Sequence, residues 1–319
     1  LVSFDVFTLG EAMLRLSVPP GARLEAAQSL EVHIAGAEAN VAVALAGLGR
    51  TVSWASRLPE GPLGRRVAGE LAQHGVDLSC VRFVPGARLG LVFAELGPPP
   101  RRVAVHYDRR ASAVSEMAPD EVPWEVMGAA RLVHLSGITP ALSPSCRRLS
   151  EVLAARTKEG KALLSVDVNY RAKLWSPADA RACLLGLVGG ADLLVLSRED
   201  AADVFGLSGE PEATLRALVD ITGVANGVLT LGAEGAVWRS PLGAGRVPGI
   251  PAVEIDRIGA GDALTAGVID GLLDDDLERG VRFGVAMGAM AVATKGDQVS
   301  VSRGEVEELL QGRQRSVDR

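Results

Sequence analysis

Between residues 130 and 231 the chain alternates short apolar runs with stretches of helical spacing, and this alternation leaves few folds open. Leu132–Leu135, Leu163–Val168, Leu193–Leu196 and Val228–Leu231 are runs of near-continuous apolar character. A strand that reads this way is buried on both faces, as in a parallel sheet covered by helices on each side. The segments between them, Ser145–Thr157, Pro177–Val188 and Glu212–Ile221, read as those helices, so the unit is a repeated βαβ. A final helical block follows at Asp262–Leu273 and Leu277–Thr294. No repeat of 20 to 50 residues and no low-complexity linker divides the sequence.

The first 110 residues read differently. Segment 39–48 is an apolar helix, with Gly49 placed to end it as a left-handed C′ residue. Around it, Met13–Val18, Leu30–Ile34, Gly90–Leu96 and Val103–Tyr107 alternate as half-buried strands do. Two separated strand pairs predict a small second sheet, either a lid over a substrate or an edge extension of the main sheet. The expected loops are short: Pro19-Pro20-Gly21, Pro98-Pro99-Pro100 and Ser240-Pro241-Leu242-Gly243.

Composition excludes several function classes. A net charge of −6 gives no cationic footprint for nucleic acid or an anionic membrane. Cys80, Cys146 and Cys183 are scattered, with no CxxC, and the four histidines lack metal-ligand spacing, so free thiols and no zinc site are expected. The opening LVSFDVFTLGEAM carries Asp5 and Glu11, with neither a basic region nor an 18-residue apolar run; it reads as neither signal peptide nor membrane span. A cytoplasmic protein is the expectation.

The strongest chemical signal is Asp256-Arg257-Ile258-Gly259-Ala260-Gly261-Asp262, running into Ala263-Leu264-Thr265-Ala266-Gly267. Small residues at 259–261 permit a tight turn that presents bare amides at a helix N-terminus, an arrangement suited to phosphate. Asp262 would face the same pocket; read locally, it could equally be an Asp N-cap after a glycine turn. Neither GxxxxGK[ST] nor an early GxGxxG occurs, which argues against a P-loop enzyme and a Rossmann dehydrogenase.

Two segments carry a family resemblance. Gly259-Ala260-Gly261-Asp262 with Ala266-Gly267 is similar to the C-terminal signature of the ribokinase-like (PfkB) sugar kinases. Ala35-Gly36-Ala37-Glu38-Ala39-Asn40, with Leu58-Pro59-Glu60-Gly61-Pro62-Leu63-Gly64, resembles their N-terminal one. The likeness spans essentially the whole chain. It implies a single three-layer α/β domain over 1–319 with a mainly parallel central sheet, and a small β-sheet lid from about 12–36 and 88–112. Within the family, Tyr107-Asp108-Arg109-Arg110-Ala111-Ser112-Ala113, Ser136-Gly137-Ile138-Thr139 and Asp167-Val168-Asn169-Tyr170-Arg171 with Leu174-Trp175 resemble the subgroup acting on 2-keto-3-deoxygluconate. The implied reaction is ATP-dependent phosphorylation of that sugar acid to its 6-phosphate. A neutral sugar such as fructose or ribose, the galactonate epimer, a nucleoside, or a non-catalytic sugar-binding role are the competing readings.

The resemblance also implies site roles. Asp262 would be the general base, and the amides of Gly259, Ala260 and Gly261 would cradle the transferring phosphate. Gly36 and Asn40 would contact substrate hydroxyls, and Tyr107 would bind the substrate from the lid; otherwise Asn40 is an ordinary position near a helix start. Arg109 and Arg171 would read the carboxylate from opposite sides, since a guanidinium pairs with it bidentately; otherwise Arg109 is one solvated arginine of a basic run and Arg171 a surface ion-pair partner. The nucleotide would lie near Asn169, Ser197, Leu231, Gly232 and Gly235, although Gly235 also reads as a simple turn glycine. Mg²⁺ would be organised through Glu199 or Asp200, in a stretch, Ser197-Arg198-Glu199-Asp200, that departs from the family's NxxE. Two further departures are Arg257, where the signature has a small residue or Pro, and Leu91-Val92, where the subgroup often has a Tyr. An exposed lid edge also leaves a homo-oligomer through the lid as a reading.

Overall fold

The computed structural model describes residues 3–19, 21–97 and 103–312. The expected Pro98-Pro99-Pro100 loop and Pro20 lie outside them. In chain order the strands are β1 (Val6–Leu9), β2 (Met13–Ser17), β3 (Glu31–Ala35), β4 (Val52–Pro59), β5 (Val81–Val84), β6 (Gly90–Glu95) and β7 (Ala104–Asp108). They continue with β8 (Leu132–Ser136), β9 (Leu163–Asp167), β10 (Leu193–Ser197), β11 (Asn226–Thr230), β12 (Gly235–Ser240) and β13 (Gly243–Pro248).

Nine strands form one sheet in the order β13-β12-β11-β10-β9-β8-β1-β4-β5, and four form a second in the order β3-β2-β6-β7. The large sheet is parallel from β5 to β11, and the β12–β13 hairpin adds two antiparallel strands at one edge. The apolar runs behave as their composition requires. Val6, Leu132, Val195 and Val228 face one helical layer, while their neighbours Phe7, Val133, Leu196 and Leu229 face the other. The first layer holds helices Ala37–Gly47, Pro62–Gln73, Ala260–Leu273 and Leu277–Val292. The second holds Pro144–Glu159, Pro177–Val188 and Pro211–Thr222. Each fully buried Leu or Val stabilises this arrangement by about 1.5–3 kcal/mol relative to exposure.

The predicted strands and helices are all present, with end shifts that have local causes. The helix at 39–48 runs from Ala37 to Gly47, and Gly49 is its left-handed terminator at φ +88°. The strand at Val228–Leu231 is Asn226–Thr230, because Leu231 turns out of the sheet and its amide binds the Gly235 carbonyl at 2.8 Å. The helix placed from Asp262 begins at Ala260, capped by Gly259 at φ +89°. Asp262 is therefore not an N-cap. The second sheet is separate from the first, as one of the two sequence readings held.

Two packing facts fix the glycine turn. Gly259 lies against the Asp297 backbone so closely that a Cβ would come within 2.0 Å of its carbonyl oxygen. Behind it, a Cβ at Gly267 would meet the Gly284 amide at 2.3 Å, so helices Ala260–Leu273 and Leu277–Val292 pack backbone to backbone. The turn is thus seated on a rigid helix pair.

Candidate active site

A cleft of about 600 Å³ lies between the two sheets at the C-terminal ends of β9 and β10. This is the end at which open α/β sheets bind ligands. The inward face of the second sheet (Met13, Val92, Val105 and Tyr107) forms one wall, and Gly36, Asn40, Asn169, Arg171, Glu199, Asp200 and the Arg257–Asp262 turn form the rest. A second cavity of about 490 Å³ adjoins it, lined by Gly232, Gly235, Ile250, Leu264, Val285 and Val292 among others. The two share Thr230, Arg257 and Gly261.

Asp262 stands at the third position of its helix and is buried. Asn40 Nδ2 donates to its Oδ2 at 2.7 Å and Asn169 Nδ2 to its Oδ1 at 3.3 Å. Burial pushes its carboxyl up to about 6; the Asn40 bond and the Arg171 charge pull the other way, and Glu38 adds to the rise. A carboxylate tuned toward neutrality is a better base than an ordinary Asp. The amides of Ala260, Gly261 and Asp262 precede the first helical carbonyl able to accept them, so they are available to an anion. Asn40 and Asn169 each keep a buried side-chain oxygen without a partner in the cleft. Asn169 holds φ +38°, a conformation Asn tolerates better than most residues.

Several neighbours of this centre were not singled out from sequence. Asp167, at the end of β9, is buried beside Asp262. Burial and the charges of Asp262 and Asp200 raise its carboxyl well above the usual range, and Thr265 Oγ1 donates to it at 3.3 Å. Glu38 is fully buried; its Oε1 accepts from the Ser136 and Thr139 hydroxyls, both at 2.7 Å, and burial raises its carboxyl. Arg15, 1% exposed on β2, pairs with both Asp256 and Asp297. Asp256 Oδ1 in turn accepts from the Ile258 amide at 3.1 Å, and Asp297 carries the backbone under Gly259. Burial pushes Asp297 up to about 7 against the pull of Arg15. A lone Arg in the alternating run Met-Leu-Arg-Leu-Ser, on the same side as Met13, was the available signal for this network.

The residues expected at the substrate end are brought together, one of them already paired with a carboxylate of the protein. Gly36 is required by contact, because a Cβ there would lie 2.2 Å from the Glu11 carbonyl oxygen. Arg109 is neither solvated nor free. It is 9% exposed, with Nε donating to Glu11 Oε2 at 2.7 Å and Nη2 bonded to the same oxygen, beneath the Tyr107 ring at 5.4 Å. Glu11 therefore already neutralises the charge that the sequence reading gave to a substrate. Arg171 has no ion-pair partner among the described residues and donates only to the Tyr170 carbonyl, at 3.1 Å, so the surface ion pair is ruled out.

On the nucleotide side, Asn169 and Ser197 reach the first cavity, Gly232 and Gly235 the second. Leu231 reaches neither; its side chain packs in the core. Gly235, at φ +97° and with a Cβ position 2.0 Å from the Val247 carbonyl oxygen, is a turn glycine as well as a cavity wall. Glu199 is exposed on the cleft, whereas Asp200 is partly buried and closes a capping box with Ser197. Among the described residues no three His, Cys, Asp or Glu side chains are arranged to hold a metal, and no helix is long and apolar enough to cross a membrane.

Free amides beside a carboxylate of raised pKa can hold a phosphate next to a base, an arrangement that suits phosphoryl transfer to an alcohol. Comparison with known proteins agrees: the model of the pfkB family carbohydrate kinases matches residues 3–303. The chain belongs to that family and is a phosphotransferase with an alcohol acceptor. It is 38% identical to a 2-dehydro-3-deoxygalactonokinase of Haloferax volcanii, over 99% of both chains. Among solved structures it resembles a 2-dehydro-3-deoxygluconokinase of Thermotoga maritima, with 30% identity, a TM-score of 0.89, and 97% of this chain and 100% of that one covered. A putative ribokinase II of E. coli, solved with ATP and Mg²⁺, shares the fold at 20% identity and a TM-score of 0.87, covering 97% of this chain and 99% of that one.

Proposed function

We propose that the chain phosphorylates the terminal hydroxymethyl group of 2-keto-3-deoxygluconate with ATP, giving the 6-phosphate. The observation carrying the substrate class is Arg171, an unpaired guanidinium on the cleft that suits a carboxylate. Apolar Met13, Val92 and Val105 opposite it suit a sugar lacking one hydroxyl. The 38% identity to a 2-dehydro-3-deoxygalactonokinase favours the galactonate epimer as a second reading.

In this reading Asp262 accepts the proton of the attacking hydroxyl, and Asn40 and Asn169 hold its carboxylate in line. The proton leaves late in a loose transition state, so alignment and the 260–262 amides supply most of the acceleration. The nucleotide phosphates lie near Asn169 and Ser197, and the base fills the cavity bounded by Ile250, Leu264 and Val285. The oxygen donors around the cleft suit Mg²⁺, which takes one or two carboxylates and otherwise water and phosphate oxygens. Glu199 is the freer of the two expected carboxylates, and the orphan Asn169 oxygen adds a hard donor. When bound, Mg²⁺ supplies charge neutralisation across the phosphates.

The smaller sheet acts as the lid on the sugar. Its edge strands β3 and β7 are where two copies would pair. Free cysteines, two of them buried, are consistent with a cytoplasmic setting.

The test is a coupled ADP-release screen of 2-keto-3-deoxygluconate, its galactonate epimer, fructose, ribose and adenosine, on the parent and on Arg171→Ala. The variant should lose about 10- to 100-fold in kcat/KM on the sugar acid, the worth of a charged hydrogen bond. Unchanged sugar-acid turnover, or a parent that prefers a neutral sugar, would overturn the assignment.

A further inference from the structure

Among the described residues, four arginines and no lysine line the first cavity: Arg15, Arg109, Arg171 and Arg257. Their charges are not equally available. Arg15 is buried between Asp256 and Asp297, and Arg109 is neutralised by Glu11. Arg171 and Arg257 have no ion-pair partner among the described residues. The same cavity carries Asp167, Glu199, Asp200, Asp203 and Asp262, so an incoming polyphosphate meets more carboxylates than free cations.

We propose that Arg257 is a catalytic residue, its guanidinium contacting the phosphoryl group as it passes from the nucleotide to the sugar. Its position carries the assignment. Arg257 lies on both cavities, together with Thr230 and Gly261, at the junction where the donor phosphate must meet the acceptor hydroxyl. Its backbone is held on either side. Asp256 is bound by Arg15 and by the Gly296 amide at 3.2 Å, and the Ile258 amide closes onto Asp256 Oδ1 at 3.1 Å. An exposed side chain is therefore mounted on a fixed base, three residues before the first amide of the cradle. A guanidinium is planar, permanently charged and matched to two phosphate oxygens at once. It exchanges no proton: the bond to the leaving oxygen of ADP breaks, the bond to the sugar oxygen forms, and the proton goes to Asp262. Arg257 stabilises charge on the equatorial oxygens during that exchange.

The inference rests on the reading that the 259–261 turn receives the transferred phosphate, so Asp262→Asn is measured in parallel. Arg257→Met should fold as the parent does, since the side chain is exposed. It should lower kcat by roughly 100- to 1,000-fold, the range for removing one preorganised charge stabiliser. Sugar KM and the inhibition constant of ADP, which lacks the transferred group, should stay within about threefold, and Arg257→Lys should recover part of the loss. A kcat within threefold of the parent, or ADP binding weakened as much as kcat, would overturn the role of Arg257. If Asp262→Asn kept parental turnover, the phosphate-site reading itself would fall; an inactive Asp262→Asn beside an unaffected Arg257→Met would remove only Arg257.

Discussion

Replacing Asn40 by Leu, nearly the same size, removes the 2.7 Å hydrogen bond to the Asp262 carboxylate while leaving Asp262 in place. That bond favours the ionised form, so losing it must raise the carboxyl above its present value of about 6. Hydrogen bonds to a charged group contribute about 1.5–3 kcal/mol, and one pKa unit is about 1.4 kcal/mol. The carboxyl should therefore rise by roughly one to two units, into the range of about 7 to 8. Only the ionised form accepts a proton, so activity is present above the pKa and lost as pH falls through it. In the parent, kcat/KM for the sugar, which reports the enzyme before the sugar binds, should fall along an acid limb centred near pH 6. In Asn40→Leu the limb should move up, giving a deficit that is severe at pH 6.5 and largely recovered at pH 9. Any lost contact to the sugar would lower kcat/KM by the same factor at every pH and leave the position of the limb unchanged. The assay is kcat/KM for the sugar against pH, by coupled ADP release with the sugar held well below KM. An acid limb that does not move, or a loss equal at every pH, would refute the argument that Asn40 tunes Asp262.

Two further outcomes follow from the network under the turn. Arg15→Met leaves the Asp256 and Asp297 carboxylates buried without a cation, and urea unfolding should show a loss of about 3–5 kcal/mol; a change under 1 kcal/mol would mean the pair is not stabilising. Gly259→Ala places a Cβ 2.0 Å from the Asp297 carbonyl oxygen at a φ of +89°, so the turn must shift. It should cost at least about 1–2 kcal/mol of stability and roughly 100-fold in kcat, while Gly261→Ala, with open space at its Cβ position, should fold normally.

The architecture was legible because it rests on local pattern. Apolar runs too continuous for a one-sided sheet announced β8 to β11, and the alternation between them announced the covering helices. Gly49 marked a helix end, and the small residues at 259–261 marked the cradle. The β12–β13 hairpin was readable only as the loop at Ser240–Gly243, because the buried start of β12 is Gly-Ala-Val, too small and short to read as an apolar run, and the edge strand β13 has a single buried residue. Asp262 was readable as a chemical residue, but its escape from the N-cap role depended on Gly259 taking the left-handed position first.

What the sequence could not determine was which charges remain free. Arg109 and Glu11 are 98 residues apart, Arg15 and Asp297 are 282 apart, and Asn40 and Asp262 are 222 apart. Each pairing is settled by sheet register and by the seating of one element on another, and no local spacing encodes it. By itself the sequence determined the layered α/β fold, the glycine turn at 259–261 and the residue types present around it. The tertiary structure decided that Glu11 consumes the charge of Arg109, that Arg15 anchors the turn, and that Arg171 and Arg257 keep charges available to ligands. An arginine's chemistry is fixed by its type, but whether it stabilises the fold or a ligand depends on which carboxylate the chain carries to it.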